Sequence, residues 1–387
     1  MHLLRTAWLL AITAAASQRR MSTLMLDSIV ARKQGVVDSG AASSTLESGI
    51  LAQAIEDIIT LYPNTKCHYN HYLSLVLDTA SANLTNATIA ATKPLDRFSL
   101  ATAIHTALTS KISPITARSQ KAYQAIHASL ALQARNPDGG LWYYVYPEWS
   151  YLDGMFSLLP FMSALPHRNH TDMLLQMNLL RDHCTQKNTS LLFHGYDYSR
   201  RAVWADAITG ASPYVWGRSL GWFLASLVQT WDKLSCQTVQ RAQLVPLCNL
   251  TKDITLQLSH SLVQHADPET GAWWQIVTLP GKKGNYLESS STALFIFSLL
   301  KALRIGLLSA SHQPDYKKAA LKAYEYTLRR FITDTGNGTI GFDKTVSVCS
   351  LNSTASFEYY TTRPILPNSL LGESAFILAA LEVERLT

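Results

Sequence analysis

Residues 214–231 read Tyr214-Val215-Trp216-Gly217-Arg218-Ser219-Leu220-Gly221-Trp222-Phe223-Leu224-Ala225-Ser226-Leu227-Val228-Gln229-Thr230-Trp231. The second half is a helix. Leu220, Phe223, Leu224, Leu227, Val228 and Trp231 recur at the three- and four-residue spacing of one helical face over three turns. The first half is different in kind. Trp, Gly and Arg set directly before an apolar helix are not the polar filler of an ordinary helix–helix connection.

The same period recurs on both sides. Leu51, Ala54, Ile55, Ile58 and Tyr62 form one face, closed by Pro63; Ile296, Leu299, Leu300, Leu303 and Leu307 form another, and Leu321, Tyr324, Leu328 and Phe331 a third. Weaker helical stretches fall near 24–34, 68–80, 97–110, 117–134, 153–165, 171–184, 238–265 and 369–385. Strand alternation is confined to short pieces around 141–146 and 338–348. About a dozen helices without a strict repeat predict an all-α chain of helical hairpins packed around one centre, a toroid of six hairpins, and not a solenoid. No linker-like change of composition divides residues 18–387, which are read as one domain.

Composition narrows the class. Of the 387 residues, 47% are hydrophobic and 16% charged, which excludes a mainly disordered chain. The formal charge is +6, but no run of five Lys or Arg occurs, so no nucleic-acid partner is expected. At the N-terminus, one basic residue, an apolar run over Thr6–Ala16 and Ala14-Ala15-Ala16 predict a cleaved secretory leader over residues 1–17, with no membrane span after it. Acceptors of the form Asn-x-Ser/Thr at Asn83, Asn86, Asn169, Asn188, Asn249, Asn337 and Asn352 fit a secreted glycoprotein. The five cysteines, Cys67, Cys184, Cys236, Cys248 and Cys349, lack metal-type spacing, so zinc is not expected. In an oxidising compartment Cys236 and Cys248 could close a short loop.

Chemistry concentrates in the connectors. Residues 139–154 hold Tyr143, Tyr146, Trp149, Tyr151 and Asp153; residues 194–206 hold His194, Asp197 and Trp204; residues 210–222 hold Trp216, Arg218 and Trp222. Aromatic faces beside carboxylates, His and Arg are what a sugar pocket needs, and the planar Arg fork matches a carboxylate. Asp153, amid Trp149, Tyr151 and Phe156, is the candidate general acid, because desolvation favours a protonated carboxyl. Asp153, Asp96 and Glu288 each precede a helical stretch as well, where an acidic side chain also serves as an N-cap. No Gly-x-Ser-x-Gly or phosphate-binding loop occurs, which removes support for esterase and nucleotide chemistry.

In order, Tyr146-Pro-x-x-x-x-Leu-Asp153-Gly, His194-Gly-Tyr-Asp197, Gly210-x-Ser-Pro-x-x-Trp-Gly-Arg218-x-x-Gly-Trp222 and Asn285-Tyr-Leu-Glu-Ser-Ser resemble glycoside hydrolase family 105, the unsaturated rhamnogalacturonyl hydrolases. The resemblance runs from about Leu46 to Glu373. It implies an (α/α)6 barrel that removes a 4,5-unsaturated uronic acid from the non-reducing end of pectin-derived oligosaccharides by hydrating the C4–C5 double bond. It implies Asp153 as the acid/base and Asp96 as the second aspartate beside the reacting bond. His194, Trp216, Arg218 and Trp222 match pocket residues, and Tyr143, Trp149 and Glu288 are further candidates for binding substrate. An anionic unsaturated oligosaccharide is the expected partner, with no cofactor or metal. Tyr143 replaces a common His, Leu220 a common Asn, and Ala101 an expected Gly. Other readings are an unsaturated glucuronyl hydrolase resembling family 88, a saturated-sugar hydrolase with two carboxylates on the same toroid, and a carbohydrate-binding protein without catalysis.

Overall fold

A computed structural model describes residues 20–37, 39–41, 43–239, 241–308 and 313–386; the expected leader lies outside them. The helices run in chain order: α1 (Met21–Ala31), α2 (Ser44–Leu61), α3 (Lys66–Ala80), α4 (Ala87–Ala91), α5 (Arg97–Ser110), α6 (Ala117–Ser129), α7 (Asp153–Ala164), α8 (His170–Cys184), α9 (Gly217–Lys233), α10 (Val245–His265), α11 (Ser289–Arg304), α12 (Gln313–Arg330), α13 (Phe357–Thr362) and α14 (Leu370–Glu384). Six of them, α2, α5, α7, α9, α11 and α14, pack each on the next, and α14 returns onto α2. That is the closed inner ring of an (α/α)6 barrel.

The ring exists because these helices bury most of their residues, two of them nearly all the way round. In α9 every residue from Gly217 to Trp231 is buried, and in α14 every residue from Leu370 to Glu382. A helix apolar or small all round has to lie inside. The outer layer carries a single apolar stripe, as in α3, whose buried residues are Tyr69, Leu73, Val76 and Leu77. Thus α3 covers α2, α6 covers α5, α10 covers α9 and α12 covers α11, while α8 lies against α10. Small residues let inner helices approach: a Cβ on Gly221 would come within 2.9 Å of the Leu294 side chain.

The sixth hairpin joins the chain ends, α1 packing on α14. Ser22 N donates to Glu384 at 3.0 Å, Tyr62 OH to the same carboxylate at 2.9 Å, and Arg32 pairs with Glu373. A disulfide joins Cys236 to Cys248 ahead of and inside α10, and Cys67, Cys184 and Cys349 are free.

Two antiparallel strand pairs decorate the ring: β1 (Trp149–Tyr151) with β2 (Gly195–Asp197), and β3 (Ile332–Asp334) with β4 (Ile340–Phe342). The strand expected at 141–146 is displaced to 149–151. Its partner lies more than forty residues away, so local alternation does not mark it. Helix α6 stops at Ser129, short of the expected 134, and α10 starts at Val245 after two 3-10 turns, later than the expected 238.

Candidate active site

Residues at the starts of five inner helices meet at one mouth of the ring. Ser43 before α2, Asp96 before α5, Asp153 opening α7, Trp216 and Arg218 at the start of α9, and Leu371 in α14 all line one cleft. Tyr143, Tyr144, Tyr146, Tyr151 and Trp222 supply rings, and Val348, Cys349 and Ser350 come from the connector after β4. Helix N-termini carry partial positive charge, so a mouth built from them favours an anion.

Asp153 is not a cap. It is the first helical residue, the residue before it is Leu152, and no side chain caps this terminus. Its Oδ2 instead accepts from Ser219 Oγ on α9. His194 Nε2 lies 3.1 Å from the same oxygen but off the hydrogen-bonding line. His194 is fully buried, and its Nδ1 meets Tyr360 OH at 2.8 Å. Trp216 packs on the His194 ring at 4.7 Å between centroids, and Trp216 Nε1 donates to Gln275 at 3.1 Å. The antiparallel β1–β2 pair fixes this geometry: it brings Tyr151 opposite Gly195, and Leu152 N donates to His194 O at 3.1 Å.

Asp96 is likewise free of capping. It is 1% exposed; Oδ2 accepts from Tyr143 OH at 2.9 Å, and Oδ1 is enclosed with no partner. Burial pushes its carboxyl up to about 7, Asp153 pushes in the same direction, and the Tyr143 bond and Arg97 pull the other way. Desolvation thus acts most plainly at Asp96, although the aromatic sequence around Asp153 pointed there first. The close approach of α7 to this segment needs Gly154, where a Cβ would come within 2.8 Å of Leu95 and 3.2 Å of the Tyr143 ring. Tyr143 stacks on Tyr151 at 4.4 Å and 11°. Burial raises the phenols of Tyr143, Tyr151 and Tyr360 well above their ordinary value, so they remain neutral donors.

The other expected site residues divide. Trp216, Arg218, Trp222 and Tyr143 line the cleft with the two aspartates. Arg218, however, is already engaged: it donates to Val346 O and, at 2.7 Å, to Ser347 O, with its guanidinium 4.8 Å from the Trp216 ring. Glu288 is fully buried and not on the cleft. It caps α11 through Ser291 N at 2.7 Å and accepts from Val346 N at 3.0 Å. Arg218 and Glu288 therefore hold the same main-chain segment from two sides, and that segment leads into Val348–Ser350. Trp149 stands behind the cleft wall, against Tyr146 at 5.2 Å and Trp204 at 5.2 Å. His194 does not line the cleft and reaches it through Asp153 and the rings of Trp216 and Tyr151.

Sequence reasoning missed Ser219, Tyr360, Gln275 and the Val348–Ser350 segment. Ser219 stood inside the Trp-Gly-Arg run and carried its own signal, a small hydroxyl at the start of an otherwise apolar helix. The others come from distant connectors and had none. Among the described residues no cluster of three or more His, Cys, Asp or Glu is placed to hold a metal, and no helix is long and apolar enough to cross a membrane.

Comparison with known proteins bears on the family and the fold. Residues 48–387 match the model of Glycosyl Hydrolase Family 88. The 24.9 kDa protein in picA locus of Rhizobium radiobacter is 28% identical over 198 residues, covering 50% of this chain and 81% of that protein. A glycoside hydrolase from family 105 of C. acetobutylicum superposes with a TM-score of 0.82 at 25% identity, over 95% of this chain and 100% of that one. The unsaturated glucuronyl hydrolase of Bacillus sp. GL1 shares the fold, with a TM-score of 0.62 at 13% identity over 90% and 87% of the two chains.

Proposed function

The chain belongs to glycosyl hydrolase family 88 and is an unsaturated uronyl hydrolase; from that premise we propose that it removes a 4,5-unsaturated galacturonate from the non-reducing end of rhamnogalacturonan-type oligosaccharides. The observation that supports this reading best is the pair Asp96 and Asp153 in one cleft ringed by aromatics, neither tied up as a helix cap, with burial pushing the Asp96 carboxyl up to about 7.

Asp153 is the acid/base. In its protonated form it delivers a proton to C4, and the carboxylate so formed takes one from the water that adds at C5, so its carboxyl ends as it began. Ser219 Oγ and the nearby His194 fix the orientation of that carboxylate. Asp96 is the neutral partner. A second carboxylate there would repel the uronate, whereas a protonated one keeps a proton in the cleft beside the reacting bond. Hydration turns C5 into a hemiketal. Its ring C–O bond breaks to a C5 ketone, and the hemiacetal left at C1 collapses to an aldehyde and expels the remaining sugar as an alcohol. The inner-helix N-termini favour the anionic substrate, and Trp216, Trp222 and Tyr143 offer it apolar faces.

The test is the ultraviolet absorbance of the conjugated uronate. Purified enzyme with lyase-generated rhamnogalacturonan oligosaccharides abolishes it; unchanged absorbance with every such oligosaccharide overturns the assignment. We also propose that the protein is secreted and N-glycosylated, which the Cys236–Cys248 disulfide supports. A fall in mass on treatment with an N-glycan-cleaving enzyme checks that.

A further inference from the structure

The cleft does not end at the two aspartates. Pro94 and Tyr144, which line it, also line a second groove that continues between the start of α2 and the segment leading into α5. On the facing side, Ser43 lines the cleft and Ser44 the groove, so both walls run unbroken from one to the other. The main chain holds the outer wall together, with Leu95 N donating to Tyr143 O at 2.9 Å.

The groove mixes hydroxyl and apolar side chains and carries one cation. Lys93 lines it, and among the described residues no carboxylate stands within ion-pair distance of that lysine. Thr45 Oγ1 is enclosed in the opposite wall without a hydrogen-bond partner. Tyr144, on the shared stretch, lies edge to face with Tyr146 at 5.3 Å. Lys93 precedes Asp96 by three residues, so their Cα atoms are at most about 11 Å apart. A lysine side chain at that range reaches past one sugar to the next.

Resting on the activity proposed above, we propose that this groove binds the leaving portion of the substrate, and that Lys93 pairs with the carboxylate of a second, saturated uronate two residues beyond the unsaturated one. A rhamnogalacturonan backbone alternates a neutral deoxysugar with a uronate. With the unsaturated uronate in the cleft, the neutral sugar falls at Tyr144 on the shared wall, where a ring face suits it. The next uronate then falls at Lys93. The enzyme is thereby selective for tetrasaccharides over disaccharides.

The experiment compares three probes by loss of ultraviolet absorbance: the unsaturated disaccharide, the unsaturated tetrasaccharide, and the tetrasaccharide methyl-esterified at its internal uronate. For the wild type, kcat/KM for the tetrasaccharide should exceed that for the disaccharide about fivefold, mostly through KM, as an exposed ion pair provides. Added salt should shrink the preference, and esterification should remove it. Lys93→Met should lower the tetrasaccharide value to that of the disaccharide, and Lys93→Arg should restore the difference. Equal values for the two lengths in the wild type, or a preference that survives in Lys93→Met, overturn the subsite while leaving the activity standing. Failure to consume either length overturns the proposed activity and the subsite with it.

Discussion

The two mouths of the ring both hold buried carboxyls, and only one is arranged for chemistry. At the mouth opposite the cleft, Glu56, Asp57, Gln229, Asp232, Lys233 and Lys301 line a pocket. Burial raises Glu56 well above its ordinary value there, as it raises Asp96 in the cleft. The difference is in what faces each group. Glu56 and Asp57 look toward Lys233, and Lys301 pairs with Asp232 at 3.1 Å. Those lysines lie in the last turns of α9 and α11, where the helix dipole favours cations. The carboxyls there face lysines from within the protein. In the cleft, Asp96 and Asp153 face Tyr143, Ser219 and His194, and the nearby arginine is engaged by main-chain carbonyls. Among the described residues no lysine lines the cleft itself. Its balance is left to protons, helix N-termini and an incoming substrate. Phe156 lines the opposite pocket and Trp222 the cleft, and their rings meet at 4.6 Å, which partitions the two. Burial of a carboxyl is thus not a mark of an active site; burial beside arginines whose donors are already taken by other groups, open to a ring-lined cleft, is.

Substitutions at the two mouths should separate sharply. Asp153→Asn should lower turnover by about a thousandfold or more while leaving the melting temperature near that of the wild type; activity within tenfold of wild type would erase the distinction between the mouths. Asp96→Asn should lower kcat/KM about a hundredfold. It should also alter how stability responds to pH. Because the folded carboxyl titrates at about 7 and the ordinary value is 3.8, the folded state retains a proton that the unfolded chain releases between those values. Stability from this group is therefore present below pH 3.8 and lost as pH rises through about 7. Melting temperatures measured across that window should show a shallower fall in Asp96→Asn than in the wild type. Wild-type activity should decline above about pH 7 for the same reason.

Ser219→Ala should have a smaller effect, about tenfold in kcat, since it removes one hydrogen bond that positions Asp153. An unchanged kcat would show that His194 alone orients the carboxylate. The smallest effect belongs to the opposite mouth. Glu56→Gln removes a carboxyl that burial penalises when ionised, so it should raise the melting temperature by about 2 °C at pH 8, with less gain at pH 4, and leave kcat/KM unchanged. A drop in kcat/KM would mean that the two mouths communicate through Phe156 and Trp222.

Much of the scaffold was legible because inner helices carry a strong periodic signal. Helix α5 lies at 97–110 as read, α7 and α14 within a residue of expectation. The short helices α4 and α13 were not seen, being too brief to show a period. In the cleft, Asp153, Asp96, Tyr143, Trp216, Arg218 and Trp222 were all picked from their connectors and all line one cavity. Glu288 was picked on the same grounds, and the structure gives it the cap that its place before Ser289 also allowed. Trp149 was picked for its neighbours, but strand pairing turns it behind the wall.

By itself the sequence determined the helical periodicity, the family and the connectors that hold the chemistry, because each is encoded by residues close together along the chain. Tertiary structure alone decided which aspartate is stripped of water, which arginine bonds are already made, and which carboxyls face lysines. Those properties depend on groups brought together from different helices. Ser219 lies 66 residues from Asp153 and Tyr360 lies 166 from His194. A carboxyl's proton is set by the dielectric and the charges within a few ångströms, and only closing the ring put those neighbours there.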